Sequence, residues 1–252
     1  MPVVWLVLPA YNEAVNLPPL LDRVGAAWTG AFPFRVLVID DGSSDGTAAA
    51  AEAAGRRVPL ETVRHARNQG LASAVRTGIR EVCRRASDAD TVVFMDADNS
   101  HPPELVPLML ERIDAGSDIV IASRFVRGGR EEGVPWRRRA LSRAAGVLFR
   151  CLCPIDGVRD YTTGFRAYRA GLLKGLWALH GDALVEAAAF SVMTEVLLKA
   201  RALRPHVAEV PLVLRYDLKE GPSKMRLFST LRDYARLLRR ELRPRRPDRG
   251  AA

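Results

Sequence analysis

The first 125 residues alternate between strand-like and helix-like segments without interruption. Val3–Leu8, Val36–Asp40, Leu60–Val63, Val92–Asp96 and Asp118–Ala122 read as short apolar strands, and Glu13–Trp28, Asp45–Gly55, Leu71–Arg85 and Pro103–Ala115 read as the helices between them. Such a succession predicts a parallel sheet with helices on both faces and right-handed crossovers. Ligands of such sheets bind beyond the C-terminal ends of the strands. The residues that leave each strand are therefore where chemistry is expected. With 252 residues, 48% of them hydrophobic, the chain can bury one large core, so one domain, or one plus an appendage, is expected.

After residue 125 the rhythm breaks. Gly128–Pro135 reads as a Gly-rich charged loop, Trp136–Cys151, Gly171–Leu179 and Val185–Ala202 as helices, and Val207–Arg215 as one more strand. From Arg226 to Leu242, Leu227, Phe228, Leu231, Tyr234, Leu237, Leu238 and Leu242 recur at helical spacing, with five arginines, and Arg243 just beyond, filling much of the remainder. That helix either packs on its own domain or lies on an anionic bilayer, and both hold if only its basic side meets lipid. Residues 244–252 lack the apolar content to fold and are expected to be disordered.

Net charge is +9, concentrated after residue 124, and only Lys174, Lys199, Lys219 and Lys224 of 38 basic residues are lysine. This charge suits nucleic acid, an anionic membrane face or a phosphorylated substrate. No zinc-ligand spacing or aromatic–basic RNA motif appears, and the acidic strand exits would repel a nucleic-acid backbone. No apolar run approaches the roughly 20 residues of a membrane span. Met1-Pro2 leads straight into a strand, so no signal peptide is expected, and Cys83, Cys151 and Cys153 read as reduced thiols of a cytosolic protein.

Three strand exits stand out. The fourth strand runs into Val92-Val93-Phe94-Met95-Asp96-Ala97-Asp98-Asn99-Ser100-His101. Two carboxylates spaced i, i+2 on an irregular exit can converge on one hard cation and leave sites open for phosphate oxygens. The same residues also suit a solvated turn, with Asp98 or Ser100 capping the next helix. The first strand ends in Pro9-Ala10-Tyr11-Asn12-Glu13, where Tyr11 offers an aromatic face, Glu13 an acceptor, and Asn12 a cap for the following helix. The second ends in Asp40-Asp41-Gly42-Ser43-Ser44-Asp45-Gly46-Thr47. There the acids favour a base-binding or metal-facing role for Asp40 and Asp41, and Ser44 or Asp45 suits a helix cap.

In this order, and with Asn68-x-Gly70, these motifs resemble the family 2 glycosyltransferases. The resemblance implies an α/β GT-A (Rossmann-like) fold, a mostly parallel sheet with helices on both faces, plus a C-terminal helical acceptor region. Ser123-Arg124-Phe125, Gly128-Gly129, Trp136 to Arg138, Ser142 and Thr163-Gly164-Phe165-Arg166 narrow it to the polyprenol-phosphate (dolichol-phosphate mannose synthase-like) branch. Glu209-Val210-Pro211 and Gly221-x-Ser223-Lys224 extend it to nearly the whole ordered chain. A catalytic domain over residues 1–225 is implied, with a nucleotide-sugar half (1–125) and an acceptor half (126–225), followed by the basic helix at 226–243.

Position by position, the resemblance implies that Pro9, Ala10, Tyr11, Glu13 and Asp41 hold the donor nucleoside. Asp96, Ala97 and Asp98 continue the donor site. Asp96 and Asp98 would ligate Mg²⁺ or Mn²⁺, with Ser100 where relatives carry a glutamine ligand. Arg124, Arg138 and Ser142 match residues that grip the acceptor phosphate and, with Asp98, would be catalytic. Either Arg215 or Lys219 would reach the donor pyrophosphate. Apart from the resemblance, Arg138 also fits a solvated helix start, and Asp160 and Arg166 offer themselves as a structural ion pair.

An absence points to the same acceptor. Transfer to a hydroxyl needs a general base within reach, yet the closest acidic cluster of the second half, Asp182 and Glu186, fits no such motif, and Glu195 reads as structural. A lipid phosphate is already anionic and needs cations instead. The expected activity is metal-dependent, inverting transfer of a hexose, mannose or glucose, from a GDP- or UDP-sugar to a polyprenyl monophosphate. The enzyme would sit peripherally at the cytosolic membrane face, where a separate anchoring partner is conceivable, and would not bind nucleic acid. The alternative is a soluble family 2 enzyme acting on a small or secondary-metabolite acceptor.

Overall fold

The computed structural model describes residues 1–186, 191–221 and 227–242. The strands are β1 (Val4–Ala10), β2 (Phe34–Asp40), β3 (Leu60–Arg64), β4 (Thr91–Phe94), β5 (Ile119–Ser123), β6 (Arg130–Glu132), β7 (Arg166–Arg169), β8 (Val207–Pro211) and β9 (Val213–Arg215). The helices are α1 (Leu17–Trp28), α2 (Thr47–Ala54), α3 (Leu71–Arg85), α4 (Val106–Asp114), α5 (Trp136–Leu152), α6 (Ala170–His180), α7 (Val192–Ala200) and α8 (Leu227–Glu241). Seven strands form one sheet in the order β3-β2-β1-β4-β7-β5-β8, and β6 pairs in parallel with β9 in a second, two-stranded sheet.

Every neighbour in the large sheet is parallel except β7, which runs antiparallel between β4 and β5. The fold is thus α/β with a mostly parallel sheet. Alternating β1 side chains feed two cores. Leu6 and Leu8 join Leu17 and Leu21 of α1 and Met109 of α4, while Trp5 and Val7 join Val75, Ile79 and Val82 of α3 and Leu197 of α7. Gly78 brings α3 close to β1: a β-carbon at this position would lie 2.5 Å from Val7 Cγ1.

Several expectations are corrected. α1 begins at Leu17, not residue 13. Asn12 does not cap it: with φ of +51° its side-chain oxygen accepts from Ser44 N (3.0 Å) and its own N–H donates to the Ser43 hydroxyl oxygen (2.9 Å). β7 was not expected, because four residues with arginine at both ends carry no strand pattern; non-local pairing makes it a strand. The expected loop 128–135 contains β6. The expected strand 207–215 divides at Leu212, whose N–H donates to Ser123 O (2.8 Å) and whose carbonyl accepts from Arg130 N (2.9 Å). Pro211 has no N–H to continue a ladder, and the split carries β9 toward the strand exits. Of the expected helix 185–202, α7 covers Val192–Ala200, and residues 187–190 lie outside the described residues. So do Ser223, Lys224 and the tail from 244.

Candidate active site

The exits of β1, β2 and β4 converge on a cavity of about 540 Å³, closed on its far side by α5 and the segment after β9. Pro9, Ala10, Tyr11, Glu13 and Asp41 line one end; Asp96, Ala97, Asp98 and Ser100 line the wall; Arg124, Arg138, Ser142 and Lys219 line the other end. The expected turn at 96–100 is therefore not solvated: Asp98 is buried and lines the cavity.

Asp98 is held on both oxygens. Ser100 donates from its hydroxyl (2.5 Å) and its N–H (3.2 Å) to Oδ1, and the Lys219 ammonium donates to Oδ2 at 2.6 Å. Burial opposes the charge on Asp98, but Lys219 and His101 outweigh it and hold this carboxyl below its usual value. Asp96 shows the reverse: burial, with Asp98 adding, pushes it up despite His101. Among the described residues none donates a hydrogen bond to the Asp96 carboxylate, whose backbone N–H goes to His101 Nδ1 (3.2 Å). One tethered and one unpartnered carboxylate on a single wall, with a serine oxygen beside them, fit a hard divalent cation.

The end lined by Tyr11, Glu13 and Asp41 is built by stitching two loops together. The Glu13 N–H donates to Thr47 Oγ1 (2.8 Å), and Asp45 accepts from Ala14 N (3.0 Å) and Thr47 N (3.1 Å), although the N-cap of α2 is Gly46 rather than the expected Ser44 or Asp45. Gly42, at φ +69°, lets this loop approach residues 67 and 68, where a β-carbon would come within 2.4 Å of the Arg67 backbone. Asp41 then receives Gln69 N (2.9 Å), Gly70 N (2.7 Å) and the His65 ring (2.7 Å), so Asn68-x-Gly70 serves to fix an acid. Asp40 does not reach the cavity: it is fully buried, accepts from Ser43 N (2.9 Å) and sits 3.2 Å from Arg64 Nε.

At the other end, Arg124 is committed to protein acids. Its guanidinium makes a bidentate pair with Asp160 (2.8 and 2.7 Å) and also meets Glu131 (3.2 Å) and Thr162 (2.6 Å). The buried partner of Asp160 is thus Arg124. Arg166 instead donates to the carbonyls of Met193 and Tyr161. Arg138 donates to the Tyr216 hydroxyl at 2.7 Å, and Ser142 shares a hydrogen bond with Thr162 (2.7 Å). Lys219 points into the cavity, whereas the Arg215 side chain lies outside its lining, between Asp217 (2.7 Å) and Glu132 (3.1 Å). Asn16 fastens the Lys219 segment by accepting from Glu220 N (2.9 Å) and donating to its carbonyl (3.1 Å).

The family model described as glycosyl transferase family 2 matches residues 5–177. The chain belongs to this family. Among its family 2 relatives is a dolichol-phosphate mannosyltransferase of Pyrococcus furiosus, 34% identical over 94% of this chain and 64% of the relative. A polyprenol monophosphomannose synthase of Mycolicibacterium smegmatis is 39% identical over 67% of this chain and 62% of the relative. An undecaprenyl-phosphate mannosyltransferase of Micrococcus luteus is 34% identical over 88% and 87%. The chain thus spans just under two thirds of the first two relatives. The fold matches glucosyl-3-phosphoglycerate synthase of Mycobacterium tuberculosis with a TM-score of 0.71 at 22% identity, over 99% of this chain and 81% of that one. That protein was crystallised with Mn²⁺, UDP and phosphoglyceric acid, and also with Mg²⁺ and UDP.

Sequence reasoning missed four contributors in this family 2 site. His101 lies inside the acidic motif and stacks on Phe165 at 5.1 Å, a role its neighbours in sequence do not signal. His65 and Tyr216 act through Asp41 and Arg138, contacts that arise only on folding. Glu131, on β6, is a further cavity-lining carboxylate, neutralised by Arg124 (3.2 Å) and Arg139 (3.7 Å). Asp182 does not line the cavity, and Glu186 and Glu195 pair with Lys199 (3.1 and 2.8 Å), as the structural reading of Glu195 requires.

Proposed function

We propose that this chain transfers a hexose, mannose foremost, from a GDP- or UDP-sugar to the phosphate of a polyprenyl lipid. One observation carries the reading. A single cavity holds an acidic wall suited to a metal–diphosphate at one side and Arg138, Ser142 and Thr162 at the other, while Glu131, among the described residues the one carboxylate of 126–225 in its lining, is locked between arginines. The mannosyl relatives, at 34–39% identity, support the sugar and the lipid class.

In this reading Tyr11, Glu13 and Asp41 bind the nucleoside, and Asp96, Asp98 and Ser100 hold Mg²⁺ or Mn²⁺. The metal, when bound, supplies charge neutralisation for the donor diphosphate. Arg138 and Ser142 place the lipid phosphate, while Arg124, held by Asp160, fixes Thr162 beside Ser142 and lends positive potential. A phosphate oxygen attacks the anomeric carbon from the face opposite the leaving group, and the bond from that carbon to the diphosphate oxygen breaks. Its electron pair leaves with the nucleoside diphosphate, and the configuration inverts. Lys219 meets the developing diphosphate charge by moving from Asp98. No proton transfer from the acceptor is needed.

Among the described residues no helix is long and apolar enough to cross a membrane. Trp136, Val147, Leu148 and Leu152 of α5 and Leu231 of α8 are exposed among arginines, and this face is where the enzyme would rest on a bilayer. The test mixes purified protein with Mn²⁺ or Mg²⁺, a panel of GDP- and UDP-sugars and a polyprenyl phosphate in detergent. Lipid-linked sugar formed with one donor and lost in EDTA is expected. Donor consumption with sugar appearing only on a water-soluble acceptor would overturn the lipid assignment.

A further inference from the structure

The acidic wall already holds a cation, and it comes from the chain itself. Lys219 Nζ stands 2.6 Å from Asp98 Oδ2, in an ion pair whose side chains are only 10% and 11% exposed. The other oxygen, Oδ1, accepts from the hydroxyl and the N–H of Ser100. A Mg²⁺ ion on Oδ2, at its usual reach of about 2.1 Å, would stand no more than about 4.7 Å from that ammonium. In so buried a place two positive charges at this separation repel strongly. Metal and lysine are therefore rivals for one carboxylate.

The backbone that carries Lys219 is fixed on both sides. Ahead of it, Arg215 N–H donates to the Ser100 carbonyl at 3.0 Å, which ties the segment to the acidic wall. Behind it, Asn16 clasps Glu220 at its N–H and its carbonyl (2.9 and 3.1 Å). The motion left is that of the side chain, a flexible four-carbon stem ending in three donors. The Tyr216 ring lies 5.8 Å from Nζ, so leaving Asp98 does not strip the ammonium of every partner.

We propose that Lys219 is a tethered counter-cation that holds Asp98 closed to metal until the donor arrives. The donor diphosphate draws the ammonium away, and the carboxylate it leaves takes the metal. This rests on the nucleotide-sugar reading above and adds to it an order of assembly. Alone, the protein binds divalent metal weakly; diphosphate and metal each remove the other's obstacle, so their binding is coupled beyond their mutual attraction. In either state Asp98, buried as it is, keeps a cation beside it. Asp96 argues against a lysine that replaces the metal for good: its carboxylate lines the same cavity and receives no hydrogen bond from any described residue.

Mn²⁺ affinity, read from the EPR signal of the free ion, is compared for wild type, Lys219→Met and Lys219→Arg, each alone and with GDP or UDP. Without nucleotide, Lys219→Met should bind Mn²⁺ on the order of tenfold more tightly than wild type, because no charge has to be displaced. Lys219→Arg, which keeps the charge, should bind as weakly as wild type. With nucleotide the advantage of Lys219→Met should vanish or reverse, since it has no ammonium to turn to the diphosphate. Affinity of Lys219→Met equal to or below that of wild type without nucleotide overturns the exchange. Thermal unfolding in EDTA checks that the variants fold. Should Lys219→Met fail to fold, a crystal structure of the wild type with Mn²⁺ and GDP or UDP decides: Nζ moved to the diphosphate supports the exchange, and Nζ still on Asp98 beside bound Mn²⁺ overturns it. Failure of Mn²⁺ to bind wild type and Lys219→Met alike, with nucleotide or without, removes the metal reading and this one together; measurable and equal binding removes the exchange alone.

Discussion

Burial by itself favours the neutral form of Asp160. It is fully buried, yet the bidentate guanidinium of Arg124 and the N–H groups of Arg124, Thr162 and Thr163 surround it. Burial works against its ionisation; Arg124 outweighs burial and holds the carboxyl below its usual range. A depressed folded-state value contributes stability above the unfolded value, about 3.9, and that contribution is lost as pH falls through the folded one. Asp160→Asn should therefore flatten the acid limb of urea stability measured below about pH 4. At neutral pH it should cost roughly 3 kcal/mol, since Arg124 stays buried with only Glu131 to meet it. An unchanged acid limb would remove Asp160 from the stability ledger. The residue also shows how buried acids here are held by cations: Asp98 by Lys219, 121 positions away, and Glu131 by Arg124 and Arg139 close to it in sequence.

At the scale of elements, α3 lies tight against β1. Its buried face places Val75, Ile79 and Val82 on the sheet, and Gly78 sits between them against Val7. Val7 is fully buried on a central strand and β-branched, so its Cγ1 has few ways to yield. Gly78→Ala gains helix propensity of about 1 kcal/mol but overpacks by about 1–3 kcal/mol. Net destabilisation is expected, read as a lower thermal midpoint; a raised midpoint would show that β1 can move. α5 and α8 follow another logic. α8 buries Tyr234, Leu237 and Leu238 on the domain, as the packing reading of its periodicity expects, and leaves Leu231, Leu242 and its arginines outside.

For the whole molecule, the distribution of charge matters more than its sum of +9. The cavity wall bearing Glu13, Asp41, Asp96 and Asp98 is acidic, while arginines crowd α5 and α8 around exposed Trp136 and Leu231. Binding to vesicles is predicted to require anionic lipid and to weaken with salt, because screening over about 8–10 Å at 0.1–0.15 M reaches exposed pairs first. Sedimentation with anionic and zwitterionic vesicles at two salt concentrations checks this. Equal binding to both would place the contact on apolar insertion alone. Trp136→Ala should lower binding to anionic vesicles several-fold without altering nucleotide-sugar affinity.

The order of strand and helix in the first half, the strand exits and the acidic motif were legible in the sequence, because each depends on neighbours along the chain. Apolar periodicity selects a face, and glycine or a capping acid ends an element, whatever lies elsewhere. Thus α3 runs from Leu71 to Arg85 as its pattern predicts, and Asp96 and Asp98 emerge where a parallel strand must deliver them. The resemblance carried Arg138 and Ser142 to the cavity. What the chain could not announce was settled by contacts across it. β7 becomes a strand only because β4 and β5 present edges on both sides; Arg124 finds Asp160 thirty-six positions away; Lys219, not Arg215, faces the cavity because Asn16 clasps Glu220 from the other end of the chain. Local order follows from short-range sterics and hydrophobic spacing. Pairing partners follow from which buried charges and unsatisfied backbone groups meet once the core has closed, and only the tertiary structure decides that.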